Sequence, residues 1–143
     1  MENKTLESML IEANKNVERL AYEETCNILK QPNTFIIDVR EESEVANFGL
    51  VKNAIHIPRG LIEFKIELNS SNNPAGINND SNLLFYCAGG YRSALAANIV
   101  KSLGFKNVFN IGGFGEWVSH NGPIELSIKN HTNIYLYLIS IEL

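Results

Sequence analysis

Phe85-Tyr86-Cys87-Ala88-Gly89-Gly90-Tyr91-Arg92-Ser93-Ala94-Leu95 is the stretch whose reading decides the fold. An apolar run ends at Tyr86, a cysteine follows, and a loop of small residues turns the chain. Beyond Arg92 and Ser93, the residues Ala96, Ile99, Val100 and Leu103 recur at helical spacing as far as Gly104, so the segment predicts strand, glycine loop and helix in that order. Ala88, Gly89 and Gly90 carry almost no side chain, so their N–H groups can converge on one point before the sulfur. The helix that follows aims its positive end at the same point. Thiolate is the reactive form of cysteine, and this setting favours it. Cys87 is therefore the candidate catalytic residue, with Ala88, Gly89, Gly90, Tyr91, Arg92 and Ser93 as candidate substrate-binding residues. Arg92 either adds charge to the cradle or fastens the loop through a carboxylate.

Cys26 provides a contrast. It lies on an ordinary helical stretch with no glycine or cation beside it, where a cysteine acts as a small apolar side chain.

Moving outward, short apolar runs rich in β-branched and aromatic residues predict strands at 35–39, 54–57, 83–86 and 107–111. Helical stretches are expected from Leu6 to Val17, Tyr22 to Leu29, Glu41 to Phe48, Gly60 to Leu68, Arg92 to Leu103 and Gly113 to Ser119. This alternation predicts an α/β fold with a mainly parallel sheet covered by helices on both faces. In such sheets ligands bind beyond the carboxyl ends of the strands, which is where Cys87 falls.

Composition narrows the functional classes. The 143 residues are 45% hydrophobic and 20% charged with a net charge of −4, which suits one globular domain. No basic cluster points to nucleic acid. Two cysteines in unrelated contexts form neither a disulfide framework nor a zinc site, and no metal or cofactor is expected. The start, Met1-Glu2-Asn3-Lys4-Thr5, lacks the order of a signal peptide, so a cytoplasmic location without membrane association is expected.

Asp38-Val39-Arg40-Glu41, the run from Val51 to Gly60, the cysteine loop, and Gly112-Gly113-Phe114 with Trp117 together resemble the single-domain rhodaneses, a thiosulfate sulfurtransferase-like family. The resemblance spans roughly Thr25 to Glu125. It implies a rhodanese-like fold with a central five-stranded parallel sheet and helices on both faces. It also implies a sulfurtransferase that moves sulfane sulfur from thiosulfate or a similar donor to cyanide or a thiol, through a persulfide on Cys87. The expected organisation is an N-terminal helical extension over 1–20, the rhodanese-like domain over 21–125 and a tail over 126–143. A protein sulfur acceptor is a further expected partner. Two rival readings are a cysteine phosphatase or arsenate reductase-like enzyme, and a sulfur-relay or protein-binding module. The first places five residues between cysteine and arginine, whereas four intervene here.

Outside the loop, Arg59 is read either as a ligand for the sulfonate end of thiosulfate or as a surface arginine covering apolar area. Asp38 is read as a buried acceptor behind the site, holding main-chain N–H groups. His56 is read as a core histidine, and Trp117 with Gly112-Gly113 as packing and a turn. Gly49-Leu50-Val51 stands where the family usually has Gly-His-Ile. The polar connection 69–82 is expected to be a mobile surface loop. The apolar tail around 134–141 suits an extra strand, a dimer contact or an aggregation-prone end.

Overall fold

The computed structural model describes residues 3–68, 73, 76–129 and 135–141. Residues 69–72, 74 and 75 of the expected connection, and with them its expected mobility, lie outside the described residues. In chain order the elements are α1 (Leu6–Asn16), β1 (Glu18–Arg19), α2 (Tyr22–Leu29), β2 (Thr34–Asp38), α3 (Glu42–Phe48), β3 (Leu50–Val51) and β4 (Ile55–His56). A 3₁₀ turn at Arg59–Leu61 leads into α4 (Ile62–Ile66), followed by β5 (Asn82–Cys87), α5 (Tyr91–Ser102), β6 (Asn107–Gly113), α6 (Phe114–Ser119), β7 (Ile124–Lys129) and β8 (Tyr135–Ile141).

Five strands form one sheet in the order β1-β6-β5-β2-β4, and every neighbouring pair is parallel. The central β5 reads Asn-Leu-Leu-Phe-Tyr-Cys and is buried from Leu83 to Cys87, because helices cover both faces and leave it no polar side. One face packs Ile37, Leu83, Phe85, Ala96, Ala97 and Val100. The other packs Ile36, Leu84, Tyr86, Ile111 and Trp117. The Leu83-to-Tyr86 alternation feeds both cores.

The fifth strand, β1, is two exposed polar residues paired with Phe109 and Asn110 of β6. It lies within the first twenty residues, where only helix was expected, because the ladder offered by β6 outweighs any local pattern. On α1, Ala13 is buried and Val17 follows it inward, whereas Leu6 and Met9 are exposed. β4 is shorter than the expected 54–57 run, but Ile57 N–H still donates to the Asp38 carbonyl and Arg59 N–H to that of Val39, which carries the chain to the rim of the site. Gly112-Gly113, expected as a turn, instead ends β6, in register with Tyr86 and Cys87. A second, antiparallel sheet runs β3-β7-β8; the Leu50-Val51 segment joins it, and the tail supplies its outer strand.

Candidate active site

Cys87 ends β5 and is 1% exposed. Gly90, at φ +93°, makes the left-handed turn into α5, a conformation glycine adopts without strain. That turn delivers the donors: Gly90 N–H lies 3.0 Å from Sγ and Ser93 N–H 3.4 Å. The Ser93 hydroxyl is also 3.4 Å from Sγ. Gly113 permits the close approach of β6, since a Cβ there would meet the Ala88 carbonyl oxygen at 2.3 Å. Burial pushes the Cys87 thiol pKa up, but the Ser93 hydroxyl and the Ser93, Gly90 and Gly89 amides pull it further down, leaving it below the ordinary 9.0. The cradle is thus a set of neutral dipoles at a helix start, with the Arg92 guanidinium also interacting with the sulfur, and is suited to an anionic sulfur.

The expected residues divide into those at the sulfur and those beside it. Gly89, Gly90 and Ser93 surround Sγ, while Ala88 in the loop and Tyr91 at the start of α5 are exposed. Arg92 is clasped by Glu44 of α3 through two bonds, Nη1 to Oε1 at 2.6 Å and Nη2 to Oε2 at 2.9 Å, the fastening geometry. Arg92 holds the Glu44 carboxyl down at about 2, and Glu44 raises the guanidinium in return. Arg59 stands on the 3₁₀ turn and donates to Glu63 at 3.1 Å.

Asp38 is fully buried and does not touch the sulfur. It accepts from Arg40 N–H, from the Arg40 guanidinium and from the Tyr86 hydroxyl. His56 Nε2 contacts the Arg40 carbonyl at 2.7 Å, and Trp117 donates to the Pro123 carbonyl from a buried position. Cys26 lies apart, in a cavity of about 350 Å³ bounded by Tyr22, Thr34 and Trp117.

Two residues escaped the sequence reading. Arg40, 2% exposed, also donates to the Gly49 carbonyl and lies 4.3 Å from the Phe114 ring centroid. Nothing local marks an arginine after Asp-Val as buried. Asn110, 4% exposed, joins three parts of the cradle: it accepts from Ser93 and Gly112 and donates to Gly90. Its only sequence signal is a polar residue inside an apolar strand.

Among the described residues no group of three His, Cys, Asp or Glu side chains is placed to hold a metal ion, and no helix is long and apolar enough to cross a membrane.

Fold and site together define a parallel-sheet protein with a cysteine seated in an amide cradle at a strand end. The chain belongs to the family of rhodanese-like domains, whose model matches residues 21–120, and its role is that of a sulfurtransferase-family domain. A Schizosaccharomyces pombe protein named "Putative thiosulfate sulfurtransferase, mitochondrial" is 33% identical over 113 residues, covering 72% of this chain and 79% of that one. The tRNA uridine(34) hydroxylase of Photorhabdus laumondii is 34% identical over 101 residues, 69% of this chain but 27% of that protein. Among solved structures, a Rhodopseudomonas palustris protein of unknown function, described as a possible tyrosine phosphatase, matches with a TM-score of 0.78 and 35% identity over 87% of this chain and 97% of that one. The human single-domain sulfurtransferase TSTD1, at 23% identity over 72% of this chain and 96% of that one, shares the fold with a TM-score of 0.61.

Proposed function

We propose that the protein transfers sulfane sulfur through a persulfide on Cys87, from thiosulfate or a similar donor to cyanide or a thiol. The observation that carries this reading is the cradle itself: N–H groups of Gly90 and Ser93 converge on a buried sulfur at the start of α5, with no general base among them. In the first half-reaction the Cys87 thiolate attacks the outer sulfur of thiosulfate; the donor's S–S bond breaks, sulfite leaves with the electron pair, and Cys87 carries a persulfide. In the second, cyanide or a thiolate attacks the outer sulfur of that persulfide, leaves as thiocyanate or as a new persulfide, and returns Cys87 to its thiolate. The negative charge stays near the cradle throughout, so preorganised amides and the helix dipole stabilise each anion without proton transfer. Ping-pong kinetics follow.

The arginines bear on the choice of donor. Arg92 and Arg59 are both paired with carboxylates, so a sulfonate must compete with Glu63 to engage Arg59. A protein thiol as acceptor, and a relay role, fit the same persulfide.

The description of the Rhodopseudomonas palustris neighbour favours a second reading, cysteine phosphatase chemistry. Against it stand the four-residue interval between Cys87 and Arg92 and the engagement of Arg92 with Glu44, which leave a recess matched to one sulfur atom more closely than to a phosphoryl group.

Intact-mass measurement after incubation with thiosulfate tests the proposal. The native chain is expected to gain one sulfur atom, removable by reductant, and Cys87→Ser is expected to gain none. Gain by the variant, or hydrolysis of an aryl phosphate by a native chain that takes up no sulfur, would overturn it.

A further inference from the structure

Asn110 sits where β6 meets the cysteine loop, and the orientation of its amide is fixed by two main-chain groups of unambiguous polarity. Gly112 N–H can only donate, so the Asn110 atom 3.0 Å from it is the oxygen. The Gly90 carbonyl can only accept, so the atom 3.0 Å from it is the amide nitrogen. The Ser93 hydroxyl lies 2.8 Å from that same Asn110 oxygen, an atom with no proton to give. Ser93 must therefore donate its one hydroxyl proton to Asn110. Toward Cys87 Sγ, 3.4 Å away, it then presents a lone pair, which accepts the thiol proton. The resting chain of bonds runs Cys87 S–H to Ser93 Oγ, and Ser93 O–H to Asn110 Oδ1. When the sulfur becomes an anion, this polarity is wrong at the first link. The hydroxyl proton must swing from Asn110 to sulfur, and Gly112 N–H alone then satisfies the Asn110 oxygen.

We propose that Asn110 is a positioning residue for Cys87: by holding the Ser93 hydroxyl proton it keeps Ser93 an acceptor beside the neutral thiol and releases it as a donor only when the sulfur carries charge. The proposal rests on the reading of Cys87 as the nucleophile and adds a regulator of its reactivity. Asn110 competes with the sulfur for one proton, so it limits how far Ser93 stabilises the anion, and an anion stabilised less attacks faster once formed. The charged groups around this chain of bonds are Arg92 of α5, which interacts with the sulfur and is clasped by Glu44 of α3, the Asp38–Arg40 pair behind Tyr86, and the Arg19–Glu116 pair against Gly112; none of them bonds to Ser93 or Asn110.

The test is the pH profile of Cys87 alkylation by iodoacetamide, measured on Cys26→Ala protein so that one thiol remains, with a melting curve for each variant. Ser93→Ala is expected to raise the midpoint, because a donor to the thiolate is lost. Asn110→Ala is expected to lower it by about one pH unit, because the hydroxyl is freed for the sulfur. In a Ser93→Ala background Asn110→Ala is expected to shift nothing. A loosened cradle would raise the midpoint in both single variants, and that result, no shift in Asn110→Ala, or an equal shift with and without Ser93, would overturn the proposal. Should Asn110→Ala fail to fold, the isosteric Asn110→Asp carries the test: its carboxylate grips the proton harder, so the rise is expected to be larger with Ser93 present than absent, and equal rises would overturn the proposal. Alkylation needs no sulfur donor, so failure here is distinguishable from failure to load a persulfide.

Discussion

The ends of β2 and β5 lie side by side, Asp38 in register with Tyr86, yet they handle charge in opposite ways. At the end of β2 a carboxylate and a guanidinium are locked together out of water: Asp38 is 0% exposed and Arg40 2%. Burial alone would lower the Arg40 pKa, but Asp38 raises it on balance, and the Tyr86 hydroxyl is pushed well above its ordinary 10.0. One residue further along β5, the donors closest to Cys87 are neutral, and the Arg92 guanidinium that also interacts with it is already clasped by Glu44. The first end is closed, its charges neutralised by fixed partners. The second holds room for one negative charge that comes and goes with the chemistry. A reactive centre thus sits beside a rigid ionic clamp without sharing its charges.

The comparison breaks first at the sulfur. Cys87→Ser is expected to abolish sulfur transfer while its melting temperature stays near that of the native chain, because serine nearly keeps the shape but accepts no sulfur; a coupled thiocyanate assay and a thermal melt together check both halves. A large loss of stability would mean that the two strand ends are not separate devices.

The next largest effect is expected at the clamp. Arg40→Leu strands the Asp38 carboxylate in the core and should cost about 3–5 kcal/mol, read from urea unfolding. Asp38→Asn together with Arg40→Leu should recover part of that loss by removing the buried charge. Equal instability of the single and double variants would show that packing on Phe114, not ionic pairing, is the work of Arg40.

The Glu44–Arg92 clasp lies between these extremes, half-buried and linking α3 to the loop. Glu44 drops from an ordinary 4.5 to about 2 in the fold, and a lowered acid contributes stability that is present above the unfolded value and lost as pH falls through the folded one. The clasp should therefore hold in full above about pH 5 and fade between about pH 4.5 and 2. Glu44→Gln should cost on the order of 1 kcal/mol after solvent screening and flatten that part of the stability profile; a profile unchanged by the substitution would assign the acid sensitivity elsewhere. The smallest effect is expected from Cys26→Ala, whose thiol faces a separate cavity and whose sulfur transfer should match the native rate.

The loop was legible because its cues are local: an apolar run, two glycines and a helical repeat lie within twenty residues of Cys87. The strands β2, β5 and β6 were legible for the same reason. β1 was not, since Glu18 and Arg19 carry no apolar alternation and become a strand only through the edge of β6. Nor was the second sheet, because Leu50 and Val51 pair with Glu125 and Ile124 from the far end of the chain. Arg40 and Asn110 escaped for a related reason. Each is defined by main-chain groups that folding brings in from elsewhere: the Gly49 carbonyl for the first, Gly90 and Gly112 for the second.

The placement of β1 also orders events in time. Its partner β6 is the last strand of the parallel sheet to be synthesised, so during translation Glu18 and Arg19 wait until every other strand of that sheet has emerged, and the sheet completes its outer border only once β6 is made. Closing so long a stretch of chain carries an entropic cost that short-range pairings avoid. A nascent chain halted before Asn107 is therefore expected to keep β1 unpaired, available to a chaperone or a protease at the ribosome exit.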